Sequence, residues 1–176
     1  MSYEIFFTQK AELTSLGKKV CWCFSLLYLI FLMAICFAPQ HGITRVETPG
    51  IQHFGRLVFL LHPFNSLIHF HQLADWQAVI WVLGQNIVNI FLLFPLMLAG
   101  LFLFPRLRRR KLILLLSFAV SLAIECLQLL ADLLYDANRV FELDDLWTNT
   151  LGGLLAWLAY RFIIKYSLNK NKKSLS

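Results

Sequence analysis

Charged side chains make up only 15% of the 176 residues, against about 25% in an average soluble domain. That scarcity excludes an ordinary solvated globule. The four cysteines, Cys21, Cys23, Cys36 and Cys126, lie within apolar runs and show neither a disulfide framework nor zinc-ligand spacing. They read as small packing residues. Internal repeats and low-complexity tracts are lacking, as are a phosphate-cradling glycine loop, a nucleophile elbow and a His-Glu zinc pair. No metal or cofactor is expected.

What the chain has instead is apolar length. Hydrophobic residues reach 59%, and four runs, at about 20–38, 78–104, 112–134 and 147–164, approach or exceed the roughly 17–25 helical residues that cross about 30 Å of hydrocarbon. The first resembles a signal peptide, but it is too long for a signal core and Pro39 follows it, so it is expected to be retained. The expectation is an all-α membrane protein with four transmembrane helices, forming one domain over 1–176.

Basic residues orient it, because short loops rich in Lys and Arg stay cytoplasmic. Lys10, Lys18 and Lys19 precede the first run; Arg106, Arg108, Arg109, Arg110 and Lys111 fill the turn between the second and third; Arg161, Lys165, Lys170, Lys172 and Lys173 follow or end the fourth. Both termini are therefore expected inside (N-in/C-in), in a bacterial cytoplasmic membrane. Acidic Glu47, Asp75, Asp136, Glu142, Asp144 and Asp145 fall on the opposite side. The net charge of +6 is a basic rim facing anionic headgroups, and nucleic acid is not an expected partner.

The outer connection between the first two runs holds all five histidines, His41, His53, His62, His69 and His71. His69 and His71 are two apart, a spacing that fits no zinc motif. Apolar residues from Phe54 to Leu73 suit an interfacial segment, and Pro63 divides it into short pieces, so an outer interfacial loop or short helices are expected there.

Polar side chains inside apolar runs are costly and often functional. Ser117, Ser121, Glu125, Gln128 and Asp132 are three or four apart, within roughly 80° of one helical face, which must point inward. Gln85, Asn86 and Asn89 in the second run lie at a similar depth, and Pro95 is expected to bend that helix. Asp144, Asp145, Thr148 and Asn149 open the fourth run, where Gly152, Gly153 and Ala156 make a small-residue face. Glu125, in mid-run, is expected to be protonated or paired with a cation such as Arg139.

Leu60-Leu61-His62-Pro63-Phe64, then Asn89 to Leu96, Ser121 to Gln128, and Arg139 through Asp144-Asp145 to Gly152 resemble, in order and spacing, the successive motifs of VanZ-like proteins. The resemblance covers about 56–156. Met97 and Ala156 stand where the family often has glycine. The family's founding member is linked to low-level teicoplanin resistance.

The resemblance, with the convergence of Asn86, Asn89, Glu125, Gln128, Arg139, Asp144, Asp145 and Asn149, implies a site that binds an amphiphile at the outer leaflet. A lipoglycopeptide antibiotic or a lipid-linked wall precursor is the expected partner besides membrane lipids, with Arg139 anchoring a phosphate or carboxylate. The alternative is an intramembrane enzyme acting on a polyprenyl-phosphate or phospholipid, with Glu125 as acid or base. Transport ranks behind both, since four short runs without repeat symmetry make a small platform for alternating access.

Overall fold

The computed structural model of the protein describes residues 6–8, 12–40, 50–68 and 76–174. Helix α1 (Ser15–Phe37) starts where Thr14 Oγ1 accepts the Gly17 N–H, and stops where Ala38 turns extended before Pro39. A hairpin follows, β1 (Gln52–Phe54) and β2 (Leu57–Leu60), then a short helix α2 (Asn65–Ile68). Helix α3 (Trp76–Leu103) passes through Pro95, and a 3-10 turn (Pro105–Arg108) leads into α4 (Arg110–Tyr135). Strand β3 (Val140–Glu142) runs directly into α5 (Leu143–Ser174).

Helix α3 runs antiparallel to α1 and α4 and alongside α5. At the basic end, Trp22 meets Phe104 edge to face, Trp157 Nε1 donates to the Arg108 carbonyl, and the Arg108 guanidinium lies over the Tyr160 ring. Leu32, Leu93, Leu101, Ile113 and Ala156 fill the core between the helices. Tyr28 Oη donates to the Leu92 carbonyl, in the turn that Pro95 deprives of a backbone donor.

The expectation of four transmembrane helices is corrected. Three described helices are long and apolar enough to cross a membrane: Ser15–Phe37, Val79–Leu103 and Arg110–Tyr135. Helix α5 is longer than any of them, yet Thr148, Asn149, Thr150, Gly152, Gly153, Tyr160 and Arg161 dilute its apolar content. The physical reason lies in its surroundings. From Leu143 to Tyr160 only Leu158 is exposed, because α3 and α4 cover the helix. A helix clad in protein needs no apolar surface of its own, whereas α1 leaves Leu26, Leu27, Ile30 and Phe31 exposed. The inside placement of both termini, read from the basic residues, was an expectation for a four-span chain and is not carried over to three spans.

The all-α expectation is also incomplete. Strands β1 and β2 pair antiparallel, and β2 pairs parallel with β3, bringing Val58 opposite Val140 and Leu60 opposite Glu142. Gly55, at positive φ in the first of two turn positions, supplies the conformation that a tight hairpin requires. The small sheet sits on the end of the bundle where α5 begins.

Glycine sets the closest helix contacts. A Cβ at Gly152 would collide with the Ile90 carbonyl of α3, and one at Gly153 with the Ser117 side chain of α4. A Cβ at Gly84 would meet nothing. Gly152→Ala is therefore expected to cost about 1–3 kcal/mol by overpacking, while Gly84→Ala gains up to about 1 kcal/mol of helix propensity. Thermal unfolding in detergent should show the two midpoints moving in opposite directions.

Candidate functional site: a polar cavity under the sheet

Helix α4 turns its polar stripe inward: Ser117, Ser121, Glu125, Gln128 and Asp132 are all buried. Each finds a specific partner. Ser117 Oγ donates to the Ile113 carbonyl, and Ser121 Oγ to the Asp145 carbonyl at 3.1 Å while accepting from Asn149 Nδ2 at 3.0 Å. Gln128 Nε2 donates to the Cys36 carbonyl at 2.9 Å, and Asp132 Oδ1 accepts the Arg139 N–H at 2.9 Å. Glu125 Oε2 accepts the Glu142 N–H at 3.0 Å, which ties β3 to α4.

The loop between α4 and β3 makes this possible. Asp136 and Asn138 both adopt positive φ, which Asp and Asn tolerate better than other side-chain-bearing residues. The reversal brings Arg139 back over the C-terminal end of α1. There its Nη2 donates to the Ile35 and Ala38 carbonyls, and Tyr135 Oη donates to the Phe37 carbonyl. A cation at a helix C-terminus meets both unsatisfied carbonyls and the negative end of the dipole.

The N-terminal turn of α5 supplies the remaining carboxylates. Asp144 Oδ1 accepts the Phe64 N–H at 2.6 Å and the Trp147 indole N–H at 3.0 Å, which fastens the segment before α2 to α5. Asp145 Oδ1 accepts from Asn89 Nδ2 of α3 at 2.6 Å. The Glu125 carboxyl of α4 lies beside it on the same cavity wall. Burial, then the charge of Glu125 beside it, holds the Asp145 carboxyl well above the usual carboxylate range.

These groups surround a cavity of about 320 Å³. Asn89, Glu125, Gln128, Arg139, Asp145 and Asn149 all line it, with Ile35, Leu60, Leu92 and Ile124 as apolar wall. Two sequence-predicted site residues lie outside. Asn86 Nδ2 donates to the Val82 carbonyl of its own helix, and Asp144 is occupied with Phe64 and Trp147. Gln85, Trp81 and Glu142 line the cavity in addition, and Gln85 Nε2 donates to Glu142 Oε1 at 3.0 Å. Gln85 was discoverable as the residue one turn before Asn89; Glu142 became a lining residue only through β3 pairing. Of the histidines, His53 and His62 are exposed, and His41, His69 and His71 lie outside the described residues.

A family model described as VanZ/LLP1 matches residues 24–165. The chain belongs to this VanZ-like family. The match takes in all three apolar spans except the first turns of α1, together with the sheet and the cavity-lining residues. No curated protein and no solved structure gave a significant match. VanZ-like membership together with three apolar spans makes the protein a multi-pass membrane protein.

The raised Asp145 carboxyl has a definite sign. A group protonated more readily when folded than when unfolded contributes stability that is complete below its unfolded value, about 3.9 for Asp, and lost as pH rises through its folded value. Unfolding midpoints measured in detergent from pH 4 upward should fall with rising pH, and Asp145→Asn, which can still accept from Asn89, should flatten that decline. An unchanged slope would mean that the Asp145 carboxyl does not carry the effect.

Proposed function

We propose that this VanZ-like protein binds an amphiphile at the outer leaflet of a bacterial cytoplasmic membrane and thereby protects the envelope. The ligand classes are an acylated glycopeptide such as teicoplanin and a lipid-linked wall precursor. The single observation that carries this reading is continuity. Trp81, Gln85 and Val88 line both the polar cavity and an apolar groove on the exposed face of α3, where Trp76, Ile80 and Gly84 complete the wall. A polar head and an apolar chain belonging to one molecule would each find a matching surface.

Size is consistent with this. A cavity of about 320 Å³ is at the lower end of the roughly 300–1,000 Å³ that accommodates small ligands. It suits a headgroup or one sugar, with the rest of a larger amphiphile outside.

A second reading draws on the Glu125 and Asp145 side chains, which line the same cavity. A carboxyl and a carboxylate side by side can act as acid and base toward a polyprenyl-phosphate or phospholipid. Its signature is turnover of such a lipid by the purified protein, abolished by Glu125→Gln.

The amphiphile reading is tested by susceptibility. A Gram-positive host expressing the wild-type chain is expected to tolerate more teicoplanin, with no change toward vancomycin, which lacks the acyl chain. Glu125→Gln at equal abundance should remove that protection, because the amide keeps the hydrogen bond from the Glu142 N–H but removes the ionisable carboxyl from the cavity wall. Equal protection against both antibiotics, or none, would count against it.

A further inference from the structure

The end of the bundle away from the cavity has a chemistry of its own. Arg161 lies about 24 Å along α5 from Asp145, given the rise of a helical residue. At its level the 3-10 turn and the start of α4 present Arg106, Arg109, Arg110 and Lys111, all exposed. Negative charge is scarce around them. Of the described carboxylates only Glu12 lies at this end, whereas Glu125, Asp132, Asp136, Glu142, Asp144 and Asp145 belong to the sheet end. The first turn of α4 holds no acidic residue either.

Helix α5 completes the patch. Where it leaves the cover of α3 and α4, its exposed residues fall at Leu158, Arg161, Phe162, Lys165 and Tyr166, a spacing of three and four that puts them on one face. Tyr160 and Ser167 are buried on the other side, with Ile163 and Ile164 half-buried. The exposed face has two rows. Leu158, Phe162 and Tyr166 form an apolar row, with Phe162 72% exposed, and Arg161 and Lys165, one turn apart, form a basic row beside it.

Trp157 joins the basic row to the turn. The Arg161 guanidinium lies over the Trp157 ring, 4.8 Å from its centroid, and Nε1 of the same indole donates to the Arg108 carbonyl at 2.9 Å. One indole therefore sets Arg161 beside the peptide that leads into Arg109 and Arg110. Stacking on a ring orients a guanidinium without neutralising it, so its planar fork of N–H donors keeps the geometry that suits a phosphate.

A basic row alone would suit any anion, and an apolar row alone any acyl chain. The two lie side by side where α3 and α4 end their apolar spans, which calls for a molecule with a negative phosphate and a hydrocarbon chain. Clusters of four or more Lys and Arg next to a membrane-spanning helix attract anionic lipids, each cation adding to the attraction.

We propose that the basic end is a binding site for one phospholipid of net negative charge. Its phosphate sits among Arg161, Lys165 and the Arg109–Arg110 turn, and its acyl chain runs along Leu158 and Phe162. This narrows the general attraction of a basic rim for headgroups to named residues and to a single lipid bridging α5 and the turn between α3 and α4. The site is separate from the cavity, so it stands or falls without the amphiphile reading.

The test uses the full chain in phosphatidylcholine nanodiscs doped with brominated-chain phosphatidylglycerol or brominated-chain phosphatidylcholine. Both carry the phosphodiester, and choline cancels its charge. Bromine quenches nearby tryptophan, and the Trp157→Phe protein gives the background from the other four tryptophans. Half of the Trp157 quenching is expected at an about tenfold lower mole fraction of phosphatidylglycerol, the scale of one charge-assisted hydrogen bond.

Arg161→Gln combined with Lys165→Gln, both exposed positions, should abolish that preference. Lys18→Gln combined with Lys19→Gln removes the same charge from exposed positions at the same end and should leave it. Potassium phosphate in place of chloride at equal ionic strength should also leave it, because inorganic phosphate has no chain for the apolar row.

Equal quenching by the two lipids overturns the proposal, since no headgroup charge would then be read. A preference lost as readily with the Lys18 and Lys19 pair as with the Arg161 and Lys165 pair overturns it as well, because the attraction would be diffuse. Loss of the preference in potassium phosphate overturns the lipid as occupant in favour of a free anion.

Discussion

The approach of α5 to its neighbours at Gly152 and Gly153 decides how deep polar groups can sit in this protein. Where the Ile90 carbonyl and the Ser117 side chain occupy the space that a Cβ would take, the helices are held close enough for Asn149 to reach Ser121, and the same packing brings Asp145 within reach of Asn89. In a membrane the apolar lipid gives helices no hydrophobic reason to associate, so close van der Waals contact between small residues and buried hydrogen bonds carry much of the association. The polar face of α5 is a consequence of its cladding by α3 and α4, and the cavity lies between the first turns of α5, the facing helices and the sheet.

The cavity is organised by helix and strand ends more than by helix faces. Arg139, Gln128 and Tyr135 hold the final carbonyls of α1; Glu125 holds the N–H of Glu142 at the start of α5; Asp144 holds the Phe64 N–H next to α2. Termini are where backbone groups lack intrahelical partners, and here the partners come from other segments of the chain. The cavity wall and the structural clamps therefore share residues, so a change at Glu125 or Arg139 disturbs the tying of chain ends as well as the cavity.

Much of this was legible in the sequence. The apolar runs that became α1, α3 and α4 announce themselves by length, and the three-and-four spacing of Ser117 to Asp132 identified a stripe that the structure buries. The fourth run misled because its apolar residues were weighed without knowing that protein covers them. Leu151, Leu154 and Leu155 are half-buried, and Thr148, Asn149 and Gly152 are buried, as in an interior helix. The sheet escaped because its strands have three or four residues, and β2 meets β3 across some eighty residues of chain. Glu142 was seen only as an acidic loop residue for that reason. The choice between Gln85 and Asn86 depended on about 100° of helix rotation, finer than an apolar pattern resolves.

The central claim is that α5 is an interior helix enclosed by apolar neighbours. Its most direct test is labelling of the full chain in membranes with a photoactivated carbene carried on a lipid acyl chain, read out by peptide mass spectrometry. Heavy labelling of α1 and of the exposed face of α3, with 143–160 protected except near Leu158, is the result the account predicts. Labelling of 143–160 as dense as that of α1 would contradict it, because the helix would then face lipid and its polar residues would need another explanation.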